Sequence, residues 1–239
     1  MLISRSNKFI YIRVPKTGST SGLFYFLKSG LYDPKTDVYA LDEPFYDWES
    51  MYSHFKRKGS DYLEGIKNFT PLPGVRINRC VHISFDGIVE QVPDIDNSYA
   101  CYSVVREPID RICSMYFYEM KRRLHDHKPA EHFNYADVNE FCYQACLPDA
   151  PEKLKWATRA QNSYFPEHAK LWNTENFHEH AVADITALGG KVPDKIHFRD
   201  NNIRPGNYKE LLSQEVIEIM QSKYAKDYEL WENAYAVYN

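Results

Sequence analysis

A seven-residue stretch near the start of the chain, PKTGSTS at positions 15–21, gathers one ammonium, four hydroxyls and a glycine. Lys16 supplies the cation, Thr17, Ser19, Thr20 and Ser21 supply donors, and Gly18 lets a backbone pass close to whatever is bound. Pro15 fixes the approach to the turn. That set is suited to a phosphate-type anion, held by the N–H groups at a helix start and reinforced by charge-assisted bonds. A second cation–hydroxyl pair lies in VVREPIDRICSMYFY, residues 104–118, where Ser114 follows Arg106 by eight positions. A guanidinium can grip an anion with two parallel bonds. His82, in CVHISF, adds a group able to take a proton near neutral pH.

These groups do chemistry only if the elements around them deliver them to one place. Lys8 to Val14 is almost continuously apolar, which predicts a buried parallel strand. PKTGSTS ends it, and Gly22 to Ser29 has a helical pattern that stops near Gly30. Tyr99 to Val105 predicts another buried strand. Past it, Pro108 suits a first helical turn, and Ile109, Ile112, Cys113, Tyr116, Phe117 and Met120 recur on one face. Each basic residue of interest therefore sits just after a strand and at the mouth of a helix. Other helices are expected at 48–58, 84–89, 136–146, 151–160, 176–188 and 212–223. Further strands are expected at 75–81 and 170–173, with an edge strand at 195–198 inside the loop 189–206. No repeat or low-complexity linker divides the chain, so a single α/β domain over 1–239 is expected, with 31–98 as a variable region inside it.

Composition limits the partners. The 239 residues carry a formal charge of −4, too near neutrality for a whole-surface attraction to nucleic acid or anionic membrane. Locally the balance differs: Arg5, Lys8, Arg13, Lys16, Lys28 and Lys35 face only Asp33 in the first 36 residues. No uncharged apolar run approaches the roughly 20 residues of a membrane helix, and the opening MLISRSNKFIYIRV reads as a strand rather than a leader. Five cysteines without CxxC spacing point to free thiols and a reducing, cytoplasmic setting. His125, His127 and His132 lack the cysteines or carboxylates that would complete a metal site, so no metal is expected.

The usual GxxxxGK[ST] order is absent, since Lys16 precedes Gly18, and no GxGxxG occurs. The kinase-like and dinucleotide readings therefore fall away while the anion chemistry stays. PKTGSTS resembles instead the 5′-phosphosulfate loop of sulfotransferases that use 3′-phosphoadenosine 5′-phosphosulfate. VVREPIDRICSMYFY resembles their 3′-phosphate signature. Downstream, Trp156, Gln161, WNTEN at 172–176 and YAKDYEL at 224–230 are similar to Golgi-type carbohydrate sulfotransferases.

This resemblance implies a three-layer, P-loop-like fold with a central, mostly parallel sheet flanked by helices. It implies transfer of a sulfuryl group from that donor to a hydroxyl of a carbohydrate or other small polar acceptor, releasing adenosine 3′,5′-bisphosphate, with no nucleic acid or membrane as partner. Lys16 would neutralise charge on the bridging oxygen and, with Pro15, Thr17, Gly18, Ser19, Thr20 and Ser21, hold the 5′ side. Arg106 and Ser114 would bind the 3′-phosphate, the alternatives being an ion pair for Arg106 and a cap or packing role for Ser114. Asn202 and Arg204 would close over the donor from a late loop. His82 is the leading general base, with packing or acceptor binding as its other roles, and Glu43 and Asp86 follow it. Arg111 reads as support or donor contact, and Arg122 and Arg123 as receivers of an anionic acceptor or a solvated helix end. The rival of another class is a non-catalytic, nucleotide-responsive module that binds a glycan or protein.

Overall fold

The computed structural model describes residues 1–33, 37–39, 82–92, 94–126, 134–192 and 205–236. The chain opens with β1 (Leu2–Ser4), β2 (Phe9–Ile12), α1 (Ser19–Lys28) and β3 (Val38–Tyr39). After α2 (Phe85–Gln91) come β4 (Ala100–Val105), α3 (Pro108–Asp126), α4 (Val138–Cys146) and α5 (Glu152–Ala157). The described part closes with β5 (Lys170–Asn173), α6 (Phe177–Ala187), α7 (Gln214–Lys223) and α8 (Ala225–Ala236). Short 3-10 turns occupy Gln161–Ser163 and Tyr208–Leu211.

The strands form one sheet in the order β3-β1-β2-β4-β5. β2 runs parallel to β4, with Ile12 opposite Ser103, and β4 runs parallel to β5, with Val105 opposite Asn173. β1 and β3 are added antiparallel at one edge through shorter ladders. The long parallel ladders thus carry the centre of the sheet.

Side-chain alternation explains the layering. Phe9 and Tyr11 enter one core with Leu23, Phe24 and Phe26 of α1, Trp172 of β5, and Ala181 and Ile185 of α6. Ile10 and Ile12 enter the opposite core with Ile83, Phe85 and Ile88 around α2. A strand's period of two sends neighbours to opposite faces, and here both faces are buried, as in sheets covered on each side by helices. A third cluster joins α3, α4 and α7 beside the sheet, built on Ile112, Cys113, Phe141, Cys142, Val216 and Met220.

Several expectations need adjustment. The opening holds two strands, because the polar SRSN turns the chain back and Ser4 is tied by hydrogen bonds to Leu31 O and to the buried Asp37. α1 begins at Ser19 rather than Gly22, so the last three motif residues form its first turn. α8 was not foreseen from periodicity. The elements expected at 48–58, 75–81 and 195–198 fall outside the described residues. Among the described residues no helix is long and apolar enough to cross a membrane.

Candidate active site

Because β2, β4 and β5 run parallel, the segments leaving their C-terminal ends emerge at one edge of the sheet, where open α/β sheets bind ligands. β2 delivers PKTGSTS, β4 delivers Arg106, and β5 delivers Thr174. Thr174 turns back on β4, donating both its N–H and its hydroxyl to Val105 O at 3.1 and 2.9 Å. Its methyl group would stand 3.9 Å from a Cβ placed on Gly18, so all three strand ends meet at the motif.

The loop is built by its own hydroxyls. Thr17 Oγ1 and Ser19 Oγ donate to Val14 O at 3.0 and 2.9 Å, and both residues are buried. Their hydroxyl protons are therefore used inside the loop, and an anion would meet backbone N–H groups there. Lys16 and Gly18 both take left-handed conformations, with φ of 64° and 77°. Glycine adopts this freely, whereas for Lys16 it costs about 1 kcal/mol, a local strain of the kind found at binding loops. Gly18 is the N-cap of α1 without a capping side chain, and no acidic residue lies in the first turn. Among the described residues the positive end of the helix therefore meets no capping side chain and no carboxylate of its own first turn.

Two residues behind the loop stiffen it. Tyr11 Oη donates to Ser19 O at 2.9 Å, and burial pushes the phenol's pKa far up, so it stays a donor. Arg13, almost fully buried, donates from Nη2 to Thr20 Oγ1 at 2.8 Å. Its positive charge lies directly beneath the first turn of α1.

Arg106 joins the second signature to the first. Its Nη1 donates to Lys16 O at 3.0 Å and its Nε pairs with Asp110, one helical turn ahead. The ion pair held open as an alternative role therefore exists, and it orients the guanidinium. Among the described residues Nη2 makes no hydrogen bond. Asp110, Ser114 and Tyr118 follow at intervals of four on α3 and share one face. The Lys16 ammonium rests 3.9 Å from the Tyr118 ring centroid, a cation–π contact. Ser114, half-buried, thus lies between the arginine's partner and the lysine's.

His82 sits at the same edge. Its Nδ1 lies 2.8 Å from Arg13 O, and a carbonyl only accepts, so Nδ1 carries the proton and a neutral ring keeps its lone pair on Nε2. Its ring centroid is 6.3 Å from that of Trp156. Trp156 is 56% exposed, and it is the one exposed Phe, Tyr or Trp among the residues whose side chains are described.

The remaining predicted residues divide sharply. Arg111 is almost fully buried and donates to Thr158 O and Arg159 O, which supports the end of α5; burial pushes its pKa down. Asp86 is exposed in the first turn of α2, after the Ser84 cap. Pro15 is buried at the start of the loop, and Ser21 N donates to Gly18 O. Arg122 and Arg123 lie on α3, but their side chains, like Glu43, Asn202 and Arg204 entirely, fall outside the described residues. Sequence reasoning passed over Arg13, Tyr11 and Tyr118 as site residues. Only Arg13 left a signal, a lone cation between the apolar Ile12 and Val14.

Comparison with protein families matches residues 1–236 to a model described as the sulfotransferase family. No curated protein and no solved structure matches the chain.

Proposed function

The chain belongs to the sulfotransferase family, and on that premise we propose that it moves a sulfuryl group from 3′-phosphoadenosine 5′-phosphosulfate to a hydroxyl of a carbohydrate or other small polar acceptor. The observation that carries this reading is the bond from Arg106 Nη1 to Lys16 O. It joins the PKTGSTS loop to the Arg106 segment, 90 residues away in sequence, and so supports a donor with anions at both ends. The uncapped start of α1 and the loop N–H groups hold the 5′ side. Arg106 Nη2, with Ser114 on the next turns of α3, holds the 3′-phosphate.

Sulfuryl transfer forms a bond from the acceptor oxygen to sulfur and breaks the bond from sulfur to the 5′-phosphate oxygen, which leaves with the electron pair. The acceptor proton passes to His82 Nε2. Lys16 moves from the Tyr118 face onto the bridging oxygen, where negative charge develops. Trp156, beside His82, forms part of the acceptor side. The described cysteines, Cys101, Cys113, Cys142 and Cys146, are free thiols, which fits a reducing compartment such as the cytoplasm.

The test is donor-product binding followed by a mass-resolved acceptor screen. Lys16→Ala lowers turnover far more than adenosine 3′,5′-bisphosphate affinity, and His82→Ala lowers turnover with nucleotide affinity retained. Tight nucleotide binding with no sulfate transfer to any carbohydrate or polar hydroxyl in the panel would favour the binding-module reading instead.

A further inference from the structure

We infer that α8 sets the chain's preference for a 3′-phosphorylated nucleotide, with Asp227 and Tyr228 as positioning residues that clamp Arg106 and Glu107. The inference rests on the donor reading above, because it concerns how Arg106 is aimed.

Asp227 is buried, and its carboxylate accepts the backbone N–H groups of Gln161 and Asn162 at 2.7 and 2.9 Å. Those bonds hold the 3-10 turn in which Gln161 is fully buried. The Gln161 carboxamide closes a two-bond ring on the backbone of Arg106. Its Nε2 donates to Arg106 O at 2.8 Å, and its Oε1 accepts Arg106 N–H at 3.0 Å. The backbone from which the guanidinium springs is thus fixed, through Gln161, by one carboxylate of α8.

The next residue of α8 takes the next residue of the loop. Tyr228 Oη donates to Glu107 Oε1 at 3.1 Å. Glu107 Oε2 accepts Asp110 N–H at 2.7 Å and lies 3.1 Å from Lys209 Nζ. Asp110 is the carboxylate that orients the guanidinium. One residue of α8 therefore places the Arg106 backbone, and the following one places the helix start that presents its counter-charge. Tyr224, one turn earlier, anchors α8 by donating to Thr158 O at 2.8 Å.

The experiment compares the full chain with Tyr228→Phe, Asp227→Asn and Asp227→Ala, measuring calorimetric affinity for adenosine 3′,5′-bisphosphate and adenosine 5′-monophosphate. The Arg106 Nε–H resonance, assigned with Arg106→Lys, is recorded without nucleotide. Losing one positioning bond reduces the affinity ratio of the two nucleotides by roughly threefold to tenfold. The monophosphate changes little, the Nε–H resonance moves, and Asp227→Asn, which keeps one good acceptor, retains more of the ratio than Asp227→Ala. Folded Tyr228→Phe and Asp227→Asn proteins with the wild-type ratio and resonance overturn the inference. So does an equal loss for both nucleotides, which marks a purely structural role. A wild-type chain with no preference for the bisphosphate defeats the donor reading, and the resonance then decides whether the clamp on Arg106 stands.

Discussion

Gly22→Ala tests how the fold shapes the anion loop. A Cβ on Gly22 would lie 2.0 Å from Tyr11 Oη and 2.6 Å from Tyr11 Cζ. Tyr11 cannot swing away, because it is fully buried between Phe26 and Trp172, with ring centroids 5.3 and 5.9 Å distant. Overpacking of this severity costs about 3 kcal/mol, and the displaced phenol loses its bond to Ser19 O, worth about 1 kcal/mol. The exchange also gains about 1 kcal/mol of helix propensity within α1, leaving a net loss near 3 kcal/mol. For a chain of this size that lowers the melting temperature by roughly 6–12 °C. Because the same phenol holds the first turn of α1, nucleotide affinity falls as well, even well below the melting point. Tyr11→Phe alone removes only the bond and costs about 1 kcal/mol. In that background Gly22→Ala loses less than in the wild type, since the nearest oxygen is gone, and a double-mutant cycle by urea unfolding reads the difference. A Gly22→Ala protein that melts within a degree of wild type and binds nucleotide unchanged would refute the reasoning.

Two further predictions address charge. Arg106→Lys keeps a cation but cannot reach Asp110, Lys16 O and a phosphate together. Its bisphosphate affinity falls by about 10-fold to 150-fold while adenosine 5′-monophosphate loses under about tenfold, measurable by calorimetry. His180 is fully buried, and its Nδ1 lies 3.2 Å from the Asn173 N–H it accepts. Burial lowers its pKa, so below the ordinary value of about 6.5 the unfolded chain binds more protons than the folded one. Its contribution to stability is fully present above that pH and is lost as pH falls toward the lowered folded value. Urea unfolding between neutral and mildly acidic pH should show a slope that His180→Leu flattens.

Lys16, Gly18, Arg106 and Ser114 stood out as candidates in the sequence because glycine, hydroxyls and cations cluster there at strand-to-helix boundaries. The β2–α1 and β4–α3 units were legible because continuous apolar runs followed by helical periodicity reflect burial on both faces of a sheet. The hairpin partner β1 was not, since three residues carry no resolvable period. α8 escaped for a related reason: its buried side includes Asp227, a carboxylate whose burial is made tolerable by the distant N–H groups of Gln161 and Asn162.

The sequence by itself determined which residues are suited to anion chemistry, because donor type, charge and backbone freedom are local properties. Only the tertiary structure decided how they are used. Thr17 and Ser19 hydroxyls turn inward to Val14 O, Arg106 lies on Lys16 O, and His82 has its proton on Nδ1 because Arg13 O is there to accept it. The last two outcomes depend on partners brought together from the segments that follow β2 and β4 and precede α2. A bond closed across tens of residues exists only once the intervening chain has packed, so no local pattern could announce it.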